Sequence, residues 1–120
     1  MKYCNDFSHD LKLGNKGENL IAKILMLEGS KIEVKTDFHA IKGNSTGNVF
    51  VEFESRGKLS GISTTHAEWW CFVLSNQQIV LIEISKLKQL CKSDGLRIVN
   101  GGDNNTSRGI LLPVKLLLSD

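Results

Sequence analysis

Four carboxylates stand in or beside apolar elements of this chain: Glu18, Asp37, Glu52 and Glu54. Burying a carboxylate is costly unless a cation or several donors compensate for its lost hydration. Carboxylates that converge also repel one another, and a hard divalent ion such as Mg²⁺ relieves that repulsion through the oxygen ligands it prefers. The chemistry open to the set is therefore metal binding. Each residue also has a plain structural role open to it. Glu18 can partner a helix dipole, Asp37 can form a turn, and Glu52 and Glu54 can face water on a half-exposed sheet.

Polar and basic residues follow the last two carboxylates directly. Arg56, Lys58, Ser60, Ser63, Thr64, Thr65 and His66 lie in RGKLSGISTTH, a glycine-containing stretch that could present donors to phosphate. One of Ser63 and Thr65 is equally suited to capping a helix, and His66 to standing on the surface. Trp69 and Trp70 could stack on unpaired bases, but neighbouring tryptophans beside CFVLS suit a core or a dimer interface better. Arg108, in NTSRG, can reach a phosphate or remain a solvated loop residue.

The elements that must position these residues follow from periodicity. NKGENLIAKILMLEG, residues 15–29, has apolar residues at helical spacing, Asn15 as N-cap, Glu18 in the first turn and Gly29 as stop. KIEVKTD alternates, with Ile32, Val34 and Thr36 on one face and Glu33, Lys35 and Asp37 on the other. In VFVEFES the same alternation sets Val49, Val51 and Phe53 against Phe50, Glu52 and Glu54, so that Glu52 and Glu54 share a face roughly 7 Å apart. The turn-rich GNSTGN between these strands predicts antiparallel pairing. STTHAEWW is expected to form a short helix capped by Ser63, Thr64 or Thr65. CFVLS and IVLIEI form a hairpin across NQQ, and SKLKQLCKSDG is a short amphipathic helix capped by Ser85. The tail contains two extended pieces around a polar loop, and Pro113 suits an edge strand better than a central one.

This order predicts an α/β or α+β fold with a central mixed β-sheet flanked by helices, in one domain over residues 1–120. A hydrophobic fraction of 41% and a charged fraction of 23% exclude disordered and fibrous classes. With 15 basic and 13 acidic residues the net charge is only +2, so a phosphate-binding surface must come from local arrangement. No GxGxxG or P-loop pattern is present, which argues against a nucleotide cofactor. Cys4, Cys71 and Cys91 are widely spaced and form no CxxC pair, as expected of a reducing, cytoplasmic setting. The start MKYCNDFSHD has no apolar leader, and no run suits a membrane span.

In sequence order, a helix with Glu18, then VKTD, then VFVEFES and ESRGKLSGIST resemble the PD-(D/E)XK nuclease superfamily. The likeness extends to small phage-type members over about residues 14–115, with NTSRGILLPV also similar. The resemblance implies a restriction-endonuclease-like core and Mg²⁺- or Mn²⁺-dependent hydrolysis of DNA phosphodiesters, with branched junctions as one substrate class and a homodimer as one working form. It also implies that Asp37 and Glu52 bind the ion with the Phe53 carbonyl, and that Glu18 acts at a second position or through water. Glu54 stands where the family usually has lysine. Glu54 would orient or deprotonate water or help hold a second ion, while Lys58 or Lys35 could supply the missing positive charge. This departure also leaves open a non-catalytic nucleic-acid-binding or partner-binding domain that keeps the nuclease fold. A third reading is a plain structural phage protein.

Overall fold

Trp69–Ser75 is apolar on both faces and buried along most of its length, so it needs a strand on each side. The computed structural model describes residues 32–41 and 47–119, all within Lys31–Asp120, the larger of the two units into which the chain divides. The predicted helix over residues 15–29, and Glu18 with it, lie outside the described residues. In chain order the strands are β1 Ile32–Thr36, β2 Asn48–Ser55, β3 Lys58–Leu59, β4 Trp69–Ser75, β5 Gln78–Glu83, β6 Arg97–Gly101 and β7 Ser107–Pro113. The α-helices are α1 Ile84–Leu90 and α2 Val114–Leu117. The fold is α+β with few helices, and its strands form two sheets, β1-β4-β5 and β3-β2-β7-β6.

The expected antiparallel pairing of the first two strands does not occur. β1 instead pairs in parallel with β4, Ile32 opposite Trp69 and Thr36 opposite Val73, and β2 belongs to the other sheet. The connection from Asp37 to Gly47 is far longer than a two-residue hairpin and imposes no adjacency, while β4 requires partners on both edges. Its other edge takes β5 across Asn76 and Gln77, the hairpin predicted from CFVLS and IVLIEI.

The expected helix at STTHAEWW is also absent. A single 3₁₀ turn at Gly61–Ser63 takes its place, and both tryptophans begin β4. Aromatic residues adjoining CFVLS extend its strand, and this preference prevails over the upstream capping signal. At Glu68 the backbone carbonyl accepts from Ile84 N–H at 3.0 Å, continuing the β4–β5 pairing. Trp69 and Trp70 are 6% and 0% exposed, so neither ring is offered to a base.

Ile84–Leu90 matches the predicted amphipathic helix, but its N-cap position is Glu83 and no side chain caps it. Pro113 closes β7, which lies between β2 and β6 rather than at a sheet edge. At the strand's last residue the missing N–H does little harm, and proline's φ suits entry into α2, a helix absent from the extended reading of the tail.

Trp70, Phe72, Leu74 and Ile82 from the first sheet share a core with Val49, Val51 and Leu112 from the second, closed by Leu87 and Leu117 of the helices. The Trp70 and Phe72 rings are tilted at 59° with centroids 6.0 Å apart, a favourable edge-on arrangement. β1 keeps its alternation, but the polar side is the half-buried one: Val34 is 60% exposed, while Lys35 lies over the Trp70 ring. A lysine stem can cover apolar surface while its ammonium meets a carboxylate, here Glu33 at 2.9 Å.

Cys71 and Cys91 are free thiols. Cys91 N–H donates to Leu87 O at the end of α1, and burial pushes the Cys91 thiol up to about 11. The unfolded thiol ionises near 9.0 and releases its proton first, so stability falls as pH rises from 9 through 11. Urea unfolding across that range is expected to show a shallower decline for Cys91→Ala than for wild type. Parallel curves would contradict the assignment.

Candidate active site

Asp37 follows β1 and extends its ladder by one residue, donating its N–H to Val73 O at 2.9 Å. Its Oδ2 accepts from the Phe50 backbone N–H at 3.0 Å, tying the end of β1 to β2 although the two strands lie in different sheets. Glu52 lies two residues along β2 from Phe50, and its Oε2 accepts from Ser60 Oγ at 2.9 Å. Asp37 and Glu52 thus line one cleft of about 340 Å³, together with Lys35, Thr36, Phe50, Phe72 and Gly102. A Cβ at Gly101 would meet the Phe50 ring at 2.9 Å, and one at Gly109 would overlap that ring and lie 2.8 Å from Val51 O. Two glycines therefore let the Phe50 ring lie against the backbone of β6 and β7 beside the cleft.

Glu54 does not join this group. The β2–β7 register shifts between Glu52 and Glu54, leaving Phe53 as the extra residue of a β-bulge. Residues opposite one another in a ladder point to the same side. Val51 faces Ile110 and Val49 faces Leu112 on the core side, and Glu52 faces Gly109 on the other. Beyond the bulge Glu54 pairs with Arg108, which shares the side of Ile110 and Leu112, so the expected common face of Glu52 and Glu54 is reversed. Its Oε2 is 3.4 Å from Arg108 Nη1, and that guanidinium lies 5.5 Å from the Phe53 ring centroid. Glu54 is therefore an ion-pair partner of Arg108 outside the residues that line the cleft.

A lysine at position 54, as in the motif this sequence resembles, would consequently stand outside the cleft as well. Were the cleft a nuclease site, Glu54→Lys would give no gain in cleavage, and Glu54→Gln would cleave within a few-fold of wild type. The lost surface pair should cost under about 1 kcal/mol in a melting experiment. A large gain from Glu54→Lys would mean that the residue reaches the cleft after all.

The Phe53 carbonyl, expected to contact the metal, is engaged within the chain. That oxygen accepts from Ser60 N–H at 3.1 Å and Ser63 Oγ at 3.0 Å, which occupies both lone pairs. The same bond spends the Ser63 hydroxyl proton, leaving Ser63 no O–H to offer a phosphate. Thr65 is similarly committed: its Oγ1 accepts from Ala67 N–H at 3.1 Å and Trp70 Nε1–H at 3.2 Å, and donates to Glu33 Oε1 at 3.3 Å. Thr64 and His66 are exposed beyond the 3₁₀ turn, outside the residues lining the cleft. Arg56 and Lys58 are exposed in the β2–β3 hairpin, where Arg56 and Gly57 take φ of 53° and 79°. Such a pair of positive φ values makes the tight primed turn favoured between twisted antiparallel strands. Of the two lysines considered as the positive charge, Lys35 lines the cleft and Lys58 does not.

No protein-family model, curated protein or solved structure matches this chain. The site's chemistry thus rests on its donors. Asp37 and Glu52 offer only carboxylate oxygen, which fits Mg²⁺, an ion commonly held by one or two carboxylates while waters and substrate phosphates complete its shell. Among the described residues no group of three His, Cys, Asp or Glu side chains is close enough to hold a metal ion. Among them, too, no helix is long and apolar enough to cross a membrane.

Sequence reasoning overlooked Glu33, although Glu33-x-Lys35 puts opposite charges on one face of a strand and so carried a signal. It also overlooked Phe50 and Gly102 as cleft residues. The place of Phe50 depends on its packing on Gly101 of β6 and Gly109 of β7, which no local pattern announces.

Proposed function

We propose that this protein is a metal-dependent DNA endonuclease that hydrolyses phosphodiester bonds at the Asp37–Glu52 cleft. The convergence of Asp37, Glu52 and Lys35 on one cleft from two different sheets carries this reading. It agrees with the order of the nuclease-like motif, and the reading includes a restriction-endonuclease-like core. Asp37 and Glu52 would hold Mg²⁺ or Mn²⁺, which when bound supplies Lewis acidity at the phosphoryl oxygen and a more acidic water. Lys35 takes the part of the motif lysine, meeting the negative charge that builds on the phosphate. Phe50 and Phe72 give the cleft an apolar wall that strengthens these charged contacts by limiting water. Arg56, Lys58 and His66 remain exposed cations or donors available to the flanking DNA backbone.

Purified protein incubated with Mg²⁺ or Mn²⁺ and linear, nicked or four-way-junction DNA is expected to cut at least one of them. Paired cuts in the junction would indicate a homodimer at work. Failure to cut any substrate with either ion would overturn the nuclease reading.

The fates of Glu54 and the Phe53 carbonyl favour one alternative, a non-catalytic domain that binds DNA or a partner. Both groups are withdrawn from the cleft by internal bonds, which leaves fewer ligands than the family arrangement. DNA affinity without divalent-ion binding by calorimetry would support it.

A further inference from the structure

Building on the reading of this cleft as the phosphodiester site, we propose that Thr65 and Glu33 are positioning residues for Lys35, whose side chain they fix where it lines the cleft with Asp37 and Glu52. The chain of constraint starts in the core. The Trp70 side chain is 0% exposed, so its indole N–H needs an internal acceptor, which Thr65 Oγ1 supplies at 3.2 Å. The same oxygen accepts from Ala67 N–H at 3.1 Å. With both lone pairs engaged, the hydroxyl has only its proton left, and the acceptor within reach is Glu33 Oε1 at 3.3 Å.

The direction of the Thr65–Glu33 bond follows from this count. Thr65 must donate, so Glu33 Oε1 is occupied and the carboxylate is turned with Oε2 toward Lys35 Nζ, 2.9 Å away. The ammonium then lies between that oxygen and the face of the Trp70 ring, 5.1 Å from its centroid, within cation–π range. Lysine normally loses much of its rotamer freedom on meeting a substrate. Here Glu33 and Trp70 already hold its ammonium in place. Trp70 serves twice, its N–H orienting Thr65 and its ring face seating the lysine that Thr65 indirectly aims.

The arrangement gives Thr65 a role other than the phosphate contact expected from STTH. It also shows how a lysine on β1 can do what the motif normally assigns to β2. Glu33 and Lys35 of β1 and Asp37, which extends its ladder, share one face, so the anchor, the cation and the carboxylate assigned to the metal are spaced at alternate residues. A charge held in position before the reaction needs no reorganisation when the transition state forms.

The test reads the clamp and the reaction separately. In ¹H–¹³C NMR spectra the Lys35 ε-methylene protons are expected upfield of ordinary lysine values, shifted by the Trp70 ring. Thr65→Val removes the hydroxyl and Glu33→Gln removes the anchoring charge, and each should return those protons toward ordinary values. Glu33→Gln leaves the Trp70–Thr65 bond in place, so it remains informative even where Thr65→Val loses stability. In cleavage assays both variants should lower kcat by roughly 10- to 100-fold with little change in KM, and Thr65→Ser should restore it. Ordinary Lys35 shifts in wild type, or shifts unmoved in Glu33→Gln, would overturn the clamp. A clamp visible by NMR whose loss leaves kcat unchanged would overturn the positioning role. A wild-type protein that shows the clamp and cuts no DNA would retain the clamp and refute the nuclease function instead.

Discussion

Asp37→Asn should abolish most metal-dependent cleavage while leaving the fold nearly untouched. Asparagine keeps a carbonyl oxygen where Asp37 Oδ2 accepts from the Phe50 N–H, so the tie between β1 and β2 survives. What disappears is the charge that makes the oxygen a good ligand for a hard cation. Changing groups that merely support metal ligands costs about 10- to 100-fold, and loss of a ligand's charge should exceed that. Glu52→Gln is the matching change on β2: the amide oxygen still accepts from Ser60 Oγ, and the charge is gone. Asp37→Ala should behave differently from Asp37→Asn in a melting experiment, because the Phe50 N–H then loses its acceptor at a cost of about 1–3 kcal/mol. Cleavage rates and melting curves of the three variants separate the two roles. Cleavage by Asp37→Asn and Glu52→Gln at wild-type rates would place the chemistry elsewhere.

The largest stability effect is expected at Gly61, where the 3₁₀ turn Gly61–Ser63 packs against β2. A Cβ added there would run into the Glu52 carbonyl oxygen, lie 2.8 Å from the carbonyl carbon and 3.1 Å from Glu52 Cβ. Main-chain atoms cannot rotate away as a side chain can, so either β2 or the loop must move. Gly61 also has φ of 52°, which costs a non-glycine residue about 1 kcal/mol by itself. Together these predict that Gly61→Ala destabilises the protein by about 3 kcal/mol or more. Gly57→Ala is the control: its φ is 79°, but nothing lies within 4 Å of the added Cβ, so only the backbone strain remains. Urea midpoints should therefore fall far more for Gly61→Ala than for Gly57→Ala. The displaced strand carries Glu52, so cleavage by the folded fraction of Gly61→Ala should fall as well. Equal midpoints for the two variants would show that the loop does not press on β2.

The parts of this protein legible in its sequence are those whose cause is local. CFVLS and IVLIEI announced β4 and β5 because two apolar runs flank a short polar turn, and SKLKQLC announced α1 by its helical spacing. The two extended pieces of the tail were legible for the same reason, as β6 and β7. Asp37 and Glu52 drew notice because carboxylates beside apolar residues are costly wherever the chain folds. The sequence alone thus determined most strands, one helix and two carboxylates of the candidate site. Only the tertiary structure decided what lies beside what. β1 joined β4 rather than β2 because a strand buried on both faces needed a second partner, a demand that arises more than thirty residues away. The bulge at Phe53 changed the side on which Glu54 stands, since a single extra residue inverts every alternation that follows it. Thr65 became an aiming residue because a buried indole N–H required its oxygen. Alternation and helical spacing are properties of neighbouring residues, whereas pairing partners, bulges and hydrogen-bond saturation come from packing between distant segments, and that packing brings Lys35 to the cleft and removes Glu54 from it.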